Sequence, residues 1–195
     1  MKHILLIFAC AVFASTVQAQ TFRCSFSGPT VKPIDIDAET EYEEQLEDAI
    51  DEIFERIIKG MGLSSFNYSA WPAANVRNFQ AEYDEDDEEF YVYYSFTFLR
   101  NLHNRLGSSE ELVNAMYVIT AHEFGHQLNG HVHERTSSSY MELEADFFAG
   151  KTASKHGIPY SSAVKVYQLC TSIGETSTHP GRADRIKAFK MGYAN

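Results

Sequence analysis

The segment His122-Glu123-Phe124-Gly125-His126 places two histidines four residues apart, with a glutamate directly after the first. Four residues of an α-helix turn by about 400° and rise by about 6 Å, so both imidazoles would project from one face. Two neutral imidazole nitrogens at that spacing can share one divalent metal ion, as they do in zinc hydrolases. The segment therefore predicts one Zn²⁺ per chain, with His122 and His126 as ligands and Glu123 beside them as general base.

The residues around the motif predict that it lies on a helix. Ser108 and Glu111 have the three-residue spacing of a capping box, and apolar residues follow at helical intervals until Gly130 offers an end. The same periodicity predicts further helices at 38–59, 140–155, 161–173 and 180–191. The motif thus has the helical context that sharing one metal ion requires.

A zinc site needs a third protein ligand, and the segment after the motif offers one. Glu142 and Asp146 are four residues apart on the predicted helix 140–155, and the small Ala149 continues the same face. Such a face can approach the first helix closely. We expect Glu142 to be the third ligand and Asp146 to bind the far ring nitrogen of one histidine, which would fix its tautomer.

Two nearby histidines are alternative ligands. His131 and His133 follow the motif at short range, but a third histidine ligand in the metzincin pattern would require glycine at 129 and histidine at 132. The chain has Asn129 and Val132 there, so His131 and His133 are expected in a loop or behind the ligands. Glu144 lies about 200° around the helix from Glu142 and is expected in solvent.

Two runs rich in aromatic and β-branched residues, 76–83 and 90–99, predict β-strands, and the acidic stretch 84–89 between them predicts a hairpin connection. With the helices, they predict an α+β fold that is mainly helical and contains a small antiparallel β-sheet or hairpin. The second run carries aromatic residues on both faces. We therefore expect this strand either to be buried or to be covered by a helix on one face, with an edge that remains available beside the motif helix.

The N-terminal segment predicts export. A positively charged start precedes an apolar run at 4–13, which is shorter than the about 20 residues that span a bilayer, and Ala19 ends a small-residue cleavage site. We expect residues 20–195 to form a single domain that is periplasmic or secreted after cleavage near Ala19. In an oxidising compartment, Cys24 and Cys170 either form one disulfide or remain two separate buried thiols.

Charge excludes two classes of partner. The formal net charge is −11 at pH 7, so the chain should bind neither nucleic acid nor an anionic lipid surface. No apolar run after the first segment is long enough to cross a bilayer, so no membrane span is expected.

Three segments in this order resemble the M48 family of gluzincin metallopeptidases: HEFGH at 122–126, ELEAD at 142–146 and THPGRADRI at 178–186. The resemblance covers roughly residues 70–190. It implies a zincin-like fold, with Glu142 as the glutamate ligand and Asp146 as the aspartate four residues later. The family includes soluble, exported bacterial members linked to envelope protein quality control.

The resemblance also implies roles for a late element and for a strand. His179, Pro180 and Arg185 match the family's H-P-x-x-x-x-R element, so His179 or Arg185 is a candidate to stabilise the oxyanion. A further hypothesis is that His179 occupies the open zinc position until substrate arrives. The strand 90–99 resembles the family's substrate-binding edge strand, which would pair with an extended protein or peptide substrate.

Two functions are compatible with these residues. The first is an exported zinc-dependent endopeptidase that hydrolyses peptide bonds in protein substrates. The second is a binding or chaperone-like module in which zinc organises the fold and proteolysis is vestigial. The presence of Glu123 favours the first, because a purely structural zinc site needs no base beside it.

Overall fold

The computed structural model describes residues 33–63, 67–86, 88–133, 138–175 and 179–195. The predicted signal segment 1–19 and Cys24, and with them the question of a disulfide, lie outside these residues; Cys170 is buried. The described elements, in chain order, are α1 (Glu41–Met61), β1 (Tyr68–Pro72), β2 (Phe79–Asp84), β3 (Glu89–Tyr94), α2 (Phe96–Leu106), α3 (Ser109–Leu128), a 3-10 turn (His131–His133), α4 (Ser139–Lys155), α5 (Tyr160–Cys170) and α6 (Arg182–Tyr193).

Helix α3, which carries the H-E-x-x-H motif, is buried along most of its length. The Ser108 hydroxyl accepts a hydrogen bond from the Glu111 amide and starts the helix at the predicted place. From Leu112 to Gln127 only Val113 is more than one-third exposed. A helix that is covered on nearly every side belongs to the core, so the motif lies inside the molecule and not on its surface.

Helices α1, α4, α5 and α6 follow the predicted periodicity with small shifts at their ends, whereas α2 was not predicted. Helix α1 extends two residues past its predicted end because Gly62 adopts a left-handed conformation and its amide binds the carbonyls of Ile58 and Lys59. Helix α4 begins where the Ser138 hydroxyl accepts a hydrogen bond from the Met141 amide. None of the helices in the described residues combines the length and the apolar character needed to cross a bilayer, as predicted.

The sheet differs from its prediction. The predicted hairpin is confirmed as the antiparallel pair β2–β3, and the α+β class is confirmed, but β1 lies on the other side of β3 and runs parallel to it. The sheet is therefore mixed, and the prediction that the strand within 90–99 is an edge strand is wrong, because β3 is central. The run also ends early: the Ser95 hydroxyl caps helix α2, so residues 96–99 are helical.

The position of β3 explains its aromatic content. Val92 and Tyr94 are buried toward the core, whereas Tyr91 and Tyr93 lie on the opposite face and stack with ring centroids 5.8 Å apart. Strand β2 is the outer strand that packs against α3. Strand β2 therefore flanks the motif helix, and its outer edge pairs with no further strand among the described residues.

Small residues let the C-terminal helices pack closely. A Cβ atom on Gly125 of α3 would lie 2.8 Å from the Ala145 Cα of α4, and a Cβ atom on Gly150 of α4 would lie 2.0 Å from the Phe189 carbonyl oxygen of α6. Both distances are shorter than van der Waals contact. Helix α4 is thus held against α3 on one side and α6 on the other, which brings residues from three helices to one place.

We expect Gly150→Ala to lower the free energy of unfolding by about 2 kcal/mol, because the added methyl group must force α4 and α6 apart. This value is the net effect: alanine favours the helix by about 1 kcal/mol over glycine, so the packing cost alone would be larger than the net loss. Urea denaturation followed by circular dichroism measures the change. Gly174→Ala is the control, since a Cβ atom there meets nothing within 4 Å. Equal stability of Gly150→Ala and the wild type would contradict the packing described.

Candidate metal centre

Three potential ligand atoms from α3 and α4 converge in the interior. His122 Nε2 and His126 Nε2 lie 3.1 Å apart, and each lies 3.6 Å from one oxygen of the Glu142 carboxylate. His122, His126 and Glu142 form the one group of metal-type side chains found among the described residues, with donor atoms all within 4.8 Å of one another. All three side chains are buried. The sequence predicted these three residues as the ligands.

The spacing of the three donor atoms fits a zinc ion. Zinc takes nitrogen and oxygen ligands at about 2.0–2.2 Å, so two ligand atoms of a tetrahedral site lie about 3.4 Å apart. The two histidine nitrogens, 3.1 Å apart, are close to that value. The two separations of 3.6 Å run to different oxygens of Glu142, from His122 Nε2 to Oε2 and from His126 Nε2 to Oε1, so the carboxylate faces both nitrogens. Neither Glu142 oxygen accepts a hydrogen bond from the residues described, although the side chain is fully buried. The cation that the described residues provide for this buried carboxylate is Arg185, whose Nη2 lies 3.3 Å from Oε2.

The charges around the site also favour a divalent cation. Glu123, Glu142 and Asp146 carry three buried carboxyl groups, and each side chain is at most 1% exposed. Arg185 is the buried cation beside them, with its guanidinium 3.3 Å from Glu142 and 2.7 Å from Asp146. As metal ligands the histidines would be neutral, and with ionised carboxylates the group would then carry two negative charges, which a zinc ion would balance.

Asp146 orients the first histidine as predicted. Its Oδ1 lies 3.0 Å from His122 Nδ1, which leaves His122 Nε2 directed toward Glu142. Burial alone would lower the pKa of His122, but the hydrogen bond and the charge of Asp146 outweigh burial and raise it. The hydrogen bond to Asp146 holds a proton on Nδ1, so Nε2 is the nitrogen that would give up its proton to bind a metal ion.

Arg185 and Tyr167 hold Asp146 in turn. The Arg185 guanidinium donates two hydrogen bonds to the carboxylate, at 2.7 and 2.8 Å, and the Tyr167 hydroxyl donates a third at 2.9 Å. Burial would raise the pKa of Asp146, but the positive charge and hydrogen bonds of Arg185 outweigh burial and lower it. Asp146 is therefore ionised. Arg185, on α6, also lies beside the donor atoms themselves, with its Nη2 3.3 Å from Glu142 Oε2 and 3.3 Å from His122 Nε2. An oxyanion role for Arg185 stays a prediction.

The second histidine has a different environment. Its Nδ1 lies 3.0 Å from His131 Nδ1, and His131 Nε2 lies 3.2 Å from Glu144 Oε2. Burial is the main cause, and the neighbouring His122 a smaller one, of a pKa of His126 well below its usual value. His126 is therefore neutral, as a metal ligand must be. Glu144, which was expected in solvent, is 36% exposed, and its carboxylate also contacts His131.

Glu123 follows His122 on α3, and His179 lies close to the same group of ligand atoms. Glu123 is 1% exposed, and its negative charge adds to burial in raising the pKa of Tyr68 in β1, so the carboxylate is near that phenol. His179 Nε2 lies 3.8 Å from Glu142 Oε1, and the side chain is 15% exposed. Helix α6 follows directly after His179, so the late element does fold back toward the ligands, as predicted.

His131 was expected in a loop or behind the ligands, and it lies behind His126, whereas the contacts of Glu144 with His131 and of Tyr167 with Asp146 were not predicted. The only sequence signal for His131 was its position five residues after His126, and a loop residue at that distance has no predictable direction. The contact of Glu144 was missed because the 3-10 turn that brings His131 toward it was not predicted. Tyr167 lies on α5, and no pattern in the sequence relates it to Asp146.

Comparison with known proteins returned no match among protein-family models, curated proteins or solved structures. Membership of the M48 family therefore stays a prediction from the three sequence segments. The geometry of His122, His126 and Glu142 is independent of that resemblance, since it follows from the distances between their ligand atoms.

Proposed function

We propose that the protein is a zinc-dependent endopeptidase that hydrolyses peptide bonds in protein substrates. The observation that carries the proposal is the convergence of His122 Nε2, His126 Nε2 and a Glu142 oxygen at the spacing of a zinc site, with Glu123 between the two histidines on the same helix. Three protein ligands leave a fourth position for water or substrate, which is the arrangement of catalytic and not of structural zinc sites.

In the proposed hydrolysis, the residues would act as metal ligands, as an orienting residue and as a general base. When bound, zinc would polarise the peptide carbonyl and lower the pKa of a water molecule toward neutrality. His122, His126 and Glu142 would hold the ion, and Asp146 would keep His122 in the required tautomer. Glu123 would accept the proton of the attacking water and then pass it to the leaving amine.

The substrate we propose is an extended segment of protein. Both sides of β3 are occupied by β1 and β2, so β3 cannot pair with a further strand. The outer edge of β2 is the candidate, because β2 packs against α3 and the described residues contain no strand beyond it. Pairing through backbone hydrogen bonds has low sequence specificity and requires an unfolded or extended substrate chain.

His179 has a separate proposed role next to the ligands. Its position 3.8 Å from Glu142 allows it either to bind the developing oxyanion or to occupy the open ligand position before substrate arrives. His179→Ala should slow casein cleavage in the first case and accelerate it in the second. Unchanged cleavage together with an unchanged absorption spectrum of the cobalt-substituted protein would exclude both roles.

We propose that the protein acts outside the cytoplasm. The support is the pattern of the first nineteen residues, which is typical of a secretory signal, and a role in envelope protein quality control follows from the M48 resemblance alone. Fractionation of cells that produce the full chain tests the compartment. Retention of the uncleaved chain in the cytoplasm would contradict export.

The experiment that tests the proposed function measures zinc content and casein cleavage together on the purified wild-type protein. We expect one zinc per chain, and we expect 1,10-phenanthroline to remove cleavage while added Zn²⁺ restores it. The non-chelating 1,7-phenanthroline is the control and should leave cleavage unchanged. Stoichiometric zinc without any cleavage would support the binding-module alternative instead, and absence of zinc would contradict both functions.

A further inference from the structure

A buried hydrogen-bonded chain runs from the second zinc-binding histidine to the protein surface. His126 Nδ1 lies 3.0 Å from His131 Nδ1, and His131 Nε2 lies 3.2 Å from Glu144 Oε2. The His126 and His131 side chains are 0% and 5% exposed, whereas that of Glu144 is 36% exposed. The chain therefore connects an interior ligand to a carboxylate that water can reach.

The positions of the protons along this chain follow from chemistry. His126 Nε2 faces His122 and Glu142, so it must keep its lone pair free for the ion, and the ring proton must lie on Nδ1. His131 Nδ1 then accepts that hydrogen bond, which places the His131 proton on Nε2. From there it is donated to the Glu144 carboxylate. One tautomer of each ring therefore satisfies both hydrogen bonds of this chain, and each N–H donates in the direction from His126 to Glu144.

His131 is not itself a ligand in this arrangement. Its Nδ1 is directed at the Nδ1 of His126, on the side of that ring opposite the donor set, and its Nε2 is directed at Glu144. The ring packs edge-to-face against His126 with centroids 5.1 Å apart. The first ligand has an equivalent but shorter support, because Asp146 binds His122 directly.

We propose that His131 and Glu144 are positioning residues for the second zinc ligand, and that Glu144 strengthens zinc binding by His126 through the ring of His131. This proposal rests on the proposed zinc site. A carboxylate that accepts a hydrogen bond from the N–H of a ligand imidazole fixes the ring orientation and raises the basicity of its metal-binding nitrogen. Here the imidazole of His131 lies between the two, so the partly exposed Glu144 carboxylate polarises the fully buried His126 through it.

The test is the zinc dissociation constant of the purified protein, measured by competition with a chromophoric chelator, for His131→Phe, Glu144→Gln and His133→Phe. Loss of such support typically weakens metal binding about 10- to 100-fold, which we expect for His131→Phe, with a several-fold effect for Glu144→Gln. His133→Phe is the matched control: His133 is two residues away and packs edge-on against Tyr83, outside the chain, so binding should change less than about twofold.

A second readout separates positioning from a general loss of structure. The absorption bands of the cobalt-substituted protein should shift in His131→Phe and Glu144→Gln while the far-ultraviolet circular dichroism stays that of the wild type. Unchanged affinity in both variants, with zinc still bound by the wild type, would overturn the proposal and leave the zinc site intact. If His131→Phe does not fold, Glu144→Gln decides, and wild-type affinity in it would overturn the proposal. A wild type that binds no zinc would contradict the proposed function itself.

Discussion

Glu142→Gln should weaken zinc binding by about 10³-fold, or ~4 kcal/mol, while the fold persists. The amide oxygen keeps the shape of the side chain but removes the negative charge that lies 3.6 Å from the nitrogens of both histidine ligands. Folding should tolerate the change because Arg185 keeps its two hydrogen bonds to Asp146. Chelator competition on the purified protein measures the loss of affinity.

The matched control for Glu142→Gln is Glu144→Gln, two residues along the same helix. It is expected to weaken binding only several-fold, because Glu144 acts through His131 and contacts no ligand atom of the donor set. A reversed order, with zinc lost in Glu144→Gln and retained in Glu142→Gln, would show that the third ligand has been assigned to the wrong residue.

Glu123→Gln should abolish most of the casein cleavage and leave zinc in place. A general base contributes about 10²- to 10⁴-fold to the rate of such a reaction, so we expect kcat to fall by about 10³-fold. Zinc affinity should change little, because Glu123 lies beside the ligands and is absent from the group of converging donor atoms. Parallel measurement of zinc content and cleavage rate checks both halves of the expectation.

Glu110→Gln, at the exposed start of the same helix, is the control for a change of charge on α3. It should retain wild-type cleavage and zinc content. If Glu123→Gln cleaved casein as fast as the wild type, another group would have to be the base. If zinc were lost as well, Glu123 would have a role in metal binding that the present geometry does not give it.

The motif helix and the ligands were predictable because they depend on local spacing. His122 and His126 share a helix face through their four-residue separation, and Glu142 and Asp146 repeat it on α4. That α3 and α4 lie side by side was also suggested by small residues, and Gly125 against Ala145 provides the observed contact.

The sheet order and the support of His126 were not predictable, because both depend on contacts between distant segments. Strand β1 pairs with β3, although β2 lies between them in the sequence. Nothing in the five residues 68–72 indicates a parallel partner. The aromatic run 90–99 was assigned to one strand because Ser95, a side chain that ends the strand and caps the next helix, was not recognised as a cap. His131 finds Glu144 only after the chain has turned back between α3 and α4.

X-ray diffraction at the zinc absorption edge, from crystals of the wild-type protein grown with Zn²⁺, would test the central assignment most directly. We expect one strong anomalous peak per chain, within about 2.0–2.2 Å of His122 Nε2, His126 Nε2 and a Glu142 oxygen. A zinc peak at other residues, or none between α3 and α4, would contradict the assignment and the peptidase function proposed from it.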